Sequence, residues 1–367
     1  MNFVFVSYDY DTKFESPEKW LKMIEGYAGI LEQLGKKHAV TRIQQMRFNI
    51  DKVHNGVQFR FVNYGTKSRL FPTKLNRLVR SLNPDIVVVH GLHNPLQVMQ
   101  LRLQLNKRIK VIAQNHAEKP ATGLRKLAQK IADRYIDAYF FASREMGIDW
   151  VRKGNLASPE KIHEVMEISS GFYPVEKPSA KARIGLSGQP VFLWVGRLDR
   201  NKDPLNVVNA FLQFAETYPQ AQLYMIYHTD ELLGEIQKAL ANHIHGNAIT
   251  MVGKVAHDEL LYWYNSADFV LSGSHYEGSG TAVCEAMSCG CVPVVTDIFS
   301  FRMITDNGHC GILYEAGNQQ AMLSALMQTQ QINAVQKREN VLAYFQSHLS
   351  FEAIARRFDE IATALIV

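Results

Sequence analysis

The sequence has little cysteine and no long hydrophobic run, and each scarcity excludes something. Four cysteines in 367 residues, all between Cys284 and Cys310, are too few and too clustered to staple the chain. A disulfide framework is not expected, and the thiols read as reduced, as in a cytosolic protein. No apolar stretch approaches the roughly 20 residues that span a bilayer. The opening run Met1 to Asp9 lacks a basic leader and turns polar early, which fits a buried first strand and not a signal peptide. No G-x-G-x-x-G follows that strand, so a dinucleotide oxidoreductase is disfavoured. Internal repeats and low-complexity tracts are missing as well.

What is present is an ordinary globular balance, 47% apolar and 20% charged, on a chain long enough for two domains of roughly 150 residues. The net charge of +5 conceals a split. Residues 1–175 hold 27 Lys+Arg against 16 Asp+Glu, or +11, and residues 176–367 hold 13 against 19, or −6. A basic first half points to an anionic partner such as a lipid surface, an acidic glycan or a nucleic acid, or else to a solvated basic surface.

Short apolar strands alternate with longer amphipathic stretches. Strands are expected at 3–7, 39–43, 57–62, 85–90, 110–114, 138–142 and 163–168. After a linker near Tyr173 to Pro178 they resume at 191–195, 222–227, 249–252, 269–272 and 292–296. Helices are expected at 17–34, 95–105, 123–135, 204–216, 231–241, 258–264 and 281–288. Continuous apolar runs such as Ile86 to Val89 imply strands buried on both faces, hence parallel sheets between helices. Two such series predict an α/β chain of two facing, doubly wound, Rossmann-like domains. The first would cover 1–174, with a C-terminal helix over 350–367 packing back on it, and the second 175–349. Open parallel sheets bind ligands beyond the carboxyl ends of their strands, so polar residues there carry the interest.

Two stretches stand out. Val191 to Gly196 ends a strand at a glycine, and the loop after it carries Arg197 and Lys202 before an Asp203-Pro204 pair that reads as helix N-cap and first helical residue. Two cations on such a loop can neutralise a diphosphate as a divalent ion does elsewhere. Phe269 to Ser272 leads through a turn to Glu277-Gly278-Ser279-Gly280-Thr281, then into a helix carrying Glu285 and ending at Gly290. The backbone N–H groups of Gly278, Ser279, Gly280 and Thr281 would form an anion site at that helix start, and small residues allow close approach. Glu277 and Glu285 would sit up to about 12 Å apart, a span suiting one elongated ligand.

The E-x7-E pair, placed between a strand and Ala286-Met287-Ser288-Cys289-Gly290-Cys291-Val292-Pro293-Val294-Val295, resembles the retaining nucleotide-sugar glycosyltransferases of family 4, with the GT-B fold. The likeness spans about 191–317 and includes Val252-Gly253 before Glu259-Leu260, and Asn307 to Leu313. It implies that Arg197 and Lys202 hold the donor diphosphate, Glu285 the ribose hydroxyls and Glu277 the transferred sugar. Gly278 to Thr281 would close on the sugar and distal phosphate. It further implies a nucleotide-diphosphate sugar donor, retention at the anomeric carbon by a front-face route, and neither cofactor nor metal. The acceptor would be a glycan or lipid-linked glycan of envelope polysaccharide or lipopolysaccharide type. His116, ending the strand 110–114, stands where relatives place an active-site histidine facing the donor sugar, and His90 is its rival. The family's glycine-rich turn near the N-terminus is replaced by Ser7-Tyr8-Asp9-Tyr10-Asp11, and His228-Thr229-Asp230 follows Tyr227 where relatives tend to carry glycines.

Other readings stay open beside it. Asp9-x-Asp11 is formally the D-x-D of metal-dependent sugar transferases, but those have a different fold, and Arg197 with Lys202 would make the metal redundant. Cys284, Cys289 and Cys291 lack the paired spacing of a zinc site. A nucleotide-sugar epimerase or phosphorylase on the same fold would need an acid/base pair or cofactor lysine that is not evident. A nucleic-acid binder would show basic residues interleaved with aromatics, which are not evident either, so no nucleic acid is expected. The stretch Lys67 to Arg80, with cations at 74, 77 and 80 beside Leu75, Leu78 and Val79, reads as a helix with a basic face. Arg125, Lys126, Lys130 and Arg134 make a second. Both suit a peripheral contact with anionic lipid on the cytoplasmic face of a membrane.

Overall fold

The computed structural model describes residues 1–366, and of Lys67 the main chain only. Val367, the last residue of the expected C-terminal helix, and the Lys67 side chain, the first cation of the expected basic stretch, lie outside the described residues. The chain forms two units, one of residues 1–169 with the C-terminal helix Phe351–Ile366, the other of residues 170–350.

Unit 1 is built on strands β1 (Asn2–Tyr10), β2 (Ala39–Gln45), β3 (Ile50–His54), β4 (Val57–Val62), β5 (Ile86–His90), β6 (Lys110–Gln114), β7 (Ala138–Phe141) and β8 (Ile162–Glu164). Their order is β3-β4-β2-β1-β5-β6-β7-β8. Every neighbouring pair is parallel except β3 with β4. The β3 strand is a correction to the all-parallel expectation. Its residues are mostly exposed, so no apolar run marks it, and a turn at Asn55-Gly56 with φ of 46° and 82° folds it back on β4. Asp51 and Lys52 on this edge strand keep it from pairing further.

Unit 2 is built on β9 (Val191–Gly196), β10 (Gln222–Tyr227), β11 (Ile249–Gly253), β12 (Phe269–Ser272), β13 (Val292–Thr296) and β14 (Ile312–Tyr314). Their order is β11-β10-β9-β12-β13-β14, parallel throughout. The strand order reverses between β9 and β12 here and between β1 and β5 in unit 1, and a doubly wound sheet opens a crevice at such a reversal. Arg197 and Lys202 follow β9, Glu277 follows β12, Asp9 lies near the end of β1, and His90 ends β5.

Helices differ from expectation where tertiary contacts interrupt a local pattern. The stretch 17–34 is two helices, Pro17–Met23 and Glu25–Gly35, broken at Ile24. The expected linker near Tyr173 to Pro178 already holds the start of helix Lys177–Ile184, with Pro178 in its first turn, where the missing N–H costs nothing. The expected strand 163–168 is only Ile162–Glu164, and the chain then leaves the sheet carrying Glu167. The C-terminal helix lies on helix Glu25–Gly35 of unit 1. Its Phe358 is 1% exposed and packs edge-on against Phe140 at 4.6 Å and near Phe5 at 5.6 Å. Among the described residues no helix is long and apolar enough to cross a membrane, and the four cysteines are buried free thiols.

Candidate active site

The unit 2 site starts from β9, whose apolar residues are buried down to Trp194. The chain leaves it at Gly196 and turns around Asp199, whose Oδ1 accepts from the Lys202 amide at 3.0 Å and whose carbonyl accepts from the Asp203 amide at 3.2 Å. Asp203 adopts a left-handed conformation, φ 45°, before Pro204 opens the helix Pro204–Thr217. It occupies the N-cap position as expected, but its side chain makes no capping bond. Instead Oδ2 accepts from Asn206 and pairs with His275 at 3.3 Å, so the left-handed turn has re-aimed the carboxylate away from the helix amides.

This loop is sewn to the one after β12. The His275 amide donates to the Asn201 carbonyl at 2.8 Å, and Asn201 Nδ2 donates to the Tyr276 carbonyl at 3.0 Å. Gly273 makes the approach possible, since a Cβ there would stand 3.0 Å from the Asp203 carbonyl oxygen. The join brings Lys202 Nζ onto Glu277 Oε1. Arg197 Nε pairs with Asp199 Oδ2 at 3.1 Å. Each expected diphosphate cation thus stands against a carboxylate, and each keeps donor capacity. An ammonium has three protons and a guanidinium five, of which these pairings use one apiece.

Helix Thr281–Ser288 begins after Gly280, which is left-handed at φ 63°. Its Glu285 is 8% exposed and braced on both oxygens, Oε1 by His257 Nε2 at 2.9 Å and Oε2 by the Tyr264 hydroxyl at 3.0 Å. Burial next to this carboxylate pushes the Tyr264 phenol well above its ordinary range, so it stays a donor. The ring of His257 also leans on Phe172 at 5.1 Å. A cavity of about 370 Å³ gathers these groups, lined by Gly196, Arg197 and Lys202 from the end of β9 and the loop after it and by Glu277, Thr281 and Glu285 from the segment after β12. Tyr227, His228 and Lys254 line it too. The expected donor residues Arg197, Lys202, Glu277, Thr281 and Glu285 therefore share one cavity. Gly278, Ser279 and Gly280 form the turn between two of them but are not among its lining residues.

In unit 1 the two rival histidines are hydrogen-bonded to each other, His90 Nδ1 to His116 Nε2 at 2.7 Å. His116 Nδ1 meets Glu167 Oε2, while its amide donates to Glu118 Oε2 at 2.6 Å. On the other side His90 Nε2 meets the Tyr27 hydroxyl at 3.1 Å. Both ring nitrogens of His116 are thus engaged inside unit 1. Burial, then the positive Arg42, holds His90 well below the usual imidazole range. Arg42 itself is 6% exposed, and burial pulls it down to about 10, with Tyr27 and Asp9 opposing the shift. Of the expected D-x-D pair, Asp9 is bound to His93 Nε2 at 3.1 Å and to Arg69 at 3.4 Å. Hydrogen bonds from His93 lower the Asp9 carboxyl, and bonds to Asp9 and Glu118 raise His93 to about 9. Among the described residues no group of three metal-ligating side chains could hold an ion.

Sequence reasoning missed Asp199, His257, Tyr264, Glu167, Tyr27 and Arg42. Each lies on a different element from the residue it braces except Asp199, which an Asx-type turn two residues beyond Arg197 would have signalled.

Known proteins resemble this chain in part of its sequence and in its fold. The chain is 28% identical over 153 residues to a D-inositol 3-phosphate glycosyltransferase of an Arthrobacter species, a match covering 39% of this chain and 35% of that protein. It is 30% identical over 135 residues to a mannosylfructose-phosphate synthase of Agrobacterium fabrum, covering 34% of this chain and 30% of that one. These matches span about a third of each relative's length. The Anabaena protein HepE in complex with UDP shares the fold with a TM-score of 0.76 at 13% identity, covering 99% of this chain and 100% of that one. Residues 176–343 match the family model described as glycosyl transferases group 1. The residues of unit 2 are thus similar to the glycosyl transferases group 1 family, within a chain that has the GT-B fold.

Proposed function

We propose that the protein is a retaining glycosyltransferase of family 4 type that moves a sugar from a nucleotide-diphosphate sugar to a glycan or lipid-linked glycan, without a metal. The observation that carries this is the single cavity in which Lys202, Arg197, Glu277 and Glu285 converge. A nucleotide-diphosphate sugar has three parts to hold, and the cavity offers a match for each. Glu285, its oxygens already oriented by His257 and Tyr264, suits a ribose diol. Arg197 and Lys202 suit the diphosphate and the charge that grows on it as the sugar departs. Glu277, tied to Lys202, places anionic density where an oxocarbenium-like centre forms. HepE, a structural neighbour, was solved with UDP and with UDP-glucose, which supports a nucleotide-sugar donor.

The test is a thermal-shift panel of nucleoside diphosphates followed by transfer assays. At least one base should raise the melting temperature, and Lys202→Ala should lose most of that shift while remaining folded. Transfer should survive EDTA and give a product of unchanged anomeric configuration. Absence of any nucleotide response, or full activity in Lys202→Ala, would remove the site from the reaction.

A specific feature of unit 1 favours membrane attachment as the route to a lipid-linked acceptor. Helix Gly123–Ala132 turns Leu124, Leu127 and Ile131 outward, 86%, 55% and 41% exposed, beside the exposed Arg125 and Lys130. The neighbouring helix Pro95–Arg102 adds the exposed Leu96, and the loop bound to it adds Leu70 and Phe71. Apolar side chains among cations suit insertion between anionic headgroups. Cosedimentation with phosphatidylglycerol vesicles should fall as salt rises and fall again in Leu124→Ser/Leu127→Ser. No binding at low salt would end this reading.

A further inference from the structure

Glu285 is gripped from two elements outside its own helix. His257 Nε2 stands 2.9 Å from its Oε1 at the start of the single turn His257–Glu259, and the Tyr264 hydroxyl stands 3.0 Å from its Oε2 within helix Leu260–Ser266. One ring touches both braces. Phe172 packs with its centroid 5.1 Å from that of His257 and 6.1 Å from that of Tyr264. It belongs to the segment 170–175, by which the chain enters unit 2, and hydrogen bonds anchor that segment on either side of the ring. Upstream, Ser170 Oγ accepts from the Phe172 amide at 3.0 Å and is bonded to the Ser288 hydroxyl at 3.1 Å, one turn beyond Glu285 on the same helix. Downstream, the buried Asn265, next to Tyr264, donates to the Tyr173 carbonyl at 3.0 Å and accepts from the Val175 amide at 2.7 Å. The His257 side chain is 40% exposed, so burial alone does not fix its ring, and packing on Phe172 restricts it.

We propose that Phe172 is a positioning residue and that the segment 170–175 is a strap holding His257 and Tyr264 against Glu285, so that the strap sets how strongly the site grips ribose hydroxyls. This deepens the function proposed above and rests on it. A carboxylate recognises a diol only when both of its oxygens are correctly aimed, and a misplacement of about 1 Å forfeits most of what such a group contributes. The diphosphate side of the cavity has its own supports, Asp199 for Arg197 and Glu277 for Lys202. Loosening the strap therefore weakens the ribose contacts and leaves the diphosphate contacts in place. Linkage makes the effect reciprocal, since a ligand that engages Glu285 through its ribose stabilises the strap in return.

The test is calorimetric titration of the full-length protein with the nucleoside diphosphate that gives the largest thermal shift and with its 2′,3′-dideoxy analogue. Wild type should favour the ribonucleotide by roughly tenfold or more, as expected for hydrogen bonds to a carboxylate. Phe172→Ala should reduce that preference to about threefold or less while binding the dideoxy analogue within about twofold of wild type, and Phe172→Tyr, which keeps the ring, should restore it. An equal loss of both affinities would make Phe172 merely structural and overturn the proposal, as would a wild type without ribose preference. Hydrogen exchange on wild type decides where Phe172→Ala does not fold. At saturation with each ligand, the amides of 172–175 should exchange more slowly with the ribonucleotide than with the dideoxy analogue, and equal protection would overturn the strap. If no nucleoside diphosphate binds wild type, the functional reading fails and the strap with it. If one binds with a ribose preference that Phe172→Ala leaves intact, the strap alone fails.

Discussion

At the scale of single residues, the structure is governed by which carboxylate faces which cation. Lys202 and Glu277 lie 75 positions apart in the chain and meet only because two strand-end loops are stitched together through Asn201. Glu277→Gln leaves the Lys202 ammonium without its anionic partner, so nucleotide diphosphate should bind with equal or greater affinity while transfer falls, a split that calorimetry and kcat together would reveal. His93 gives a pH signature. Its imidazole is raised to about 9 by Asp9 and Glu118 from an unfolded value near 6.5, so this contribution is complete below about pH 6.5 and is lost as pH climbs through 9. With the ring 39% exposed, solvent screening keeps it to about 1 kcal/mol. Wild type should lose that stability between pH 6.5 and 9, and His93→Gln should not, as read by denaturant midpoints. The residue types at these positions are visible in the sequence, and their pairing is not. Arg197 and Lys202 read as two cations for a diphosphate, and an Asx-type turn marks Asp199, but nothing local indicates that Glu277, 75 positions away, meets Lys202.

At the scale of elements, most strands are legible because burial writes itself as short apolar or alternating runs. Val57–Val62, Lys110–Gln114, Gln222–Tyr227, Phe269–Ser272 and Val292–Thr296 begin and end where the pattern says. The β3 strand has an exposed, charged pattern, and the three-residue β14 is too short to carry a period, so neither is legible. The helix Thr281–Ser288 is legible down to its glycine start. Gly280→Ala forces a Cβ onto a left-handed residue and to 2.6 Å from the Phe301 ring. It should cost about 2 kcal/mol or more and weaken nucleotide binding in the same variant, as chemical denaturation and calorimetry would measure. Helix Gly123–Ala132 teaches the opposite lesson. Its amphipathic spacing is plain in the sequence, yet spacing alone cannot say which side faces the sheet, and the structure turns three of its apolar residues to solvent while burying Gln129.

At the scale of the whole molecule, the C-terminal helix belongs to the first unit, so unit 1 is completed by the last residues of the chain. Phe358 fills an aromatic cluster with Phe3, Phe5 and Phe140. Phe358→Ala should destabilise unit 1 by about 3–5 kcal/mol and leave nucleotide binding by unit 2 in place, visible as one shifted calorimetric transition beside one that still responds to nucleotide.

The sequence by itself determined the fold class, the two strand series and the residue types at the strand ends, because burial periodicity and loop chemistry are local properties of the chain. Tertiary structure alone decided that His90 and His116 are hydrogen-bonded to each other, that Glu285 is braced by His257 and Tyr264, and that Arg42 is buried. Those facts depend on side chains from separate elements arriving within about 3 Å of one another, and that distance is set by packing across a sheet and not by separation along the chain.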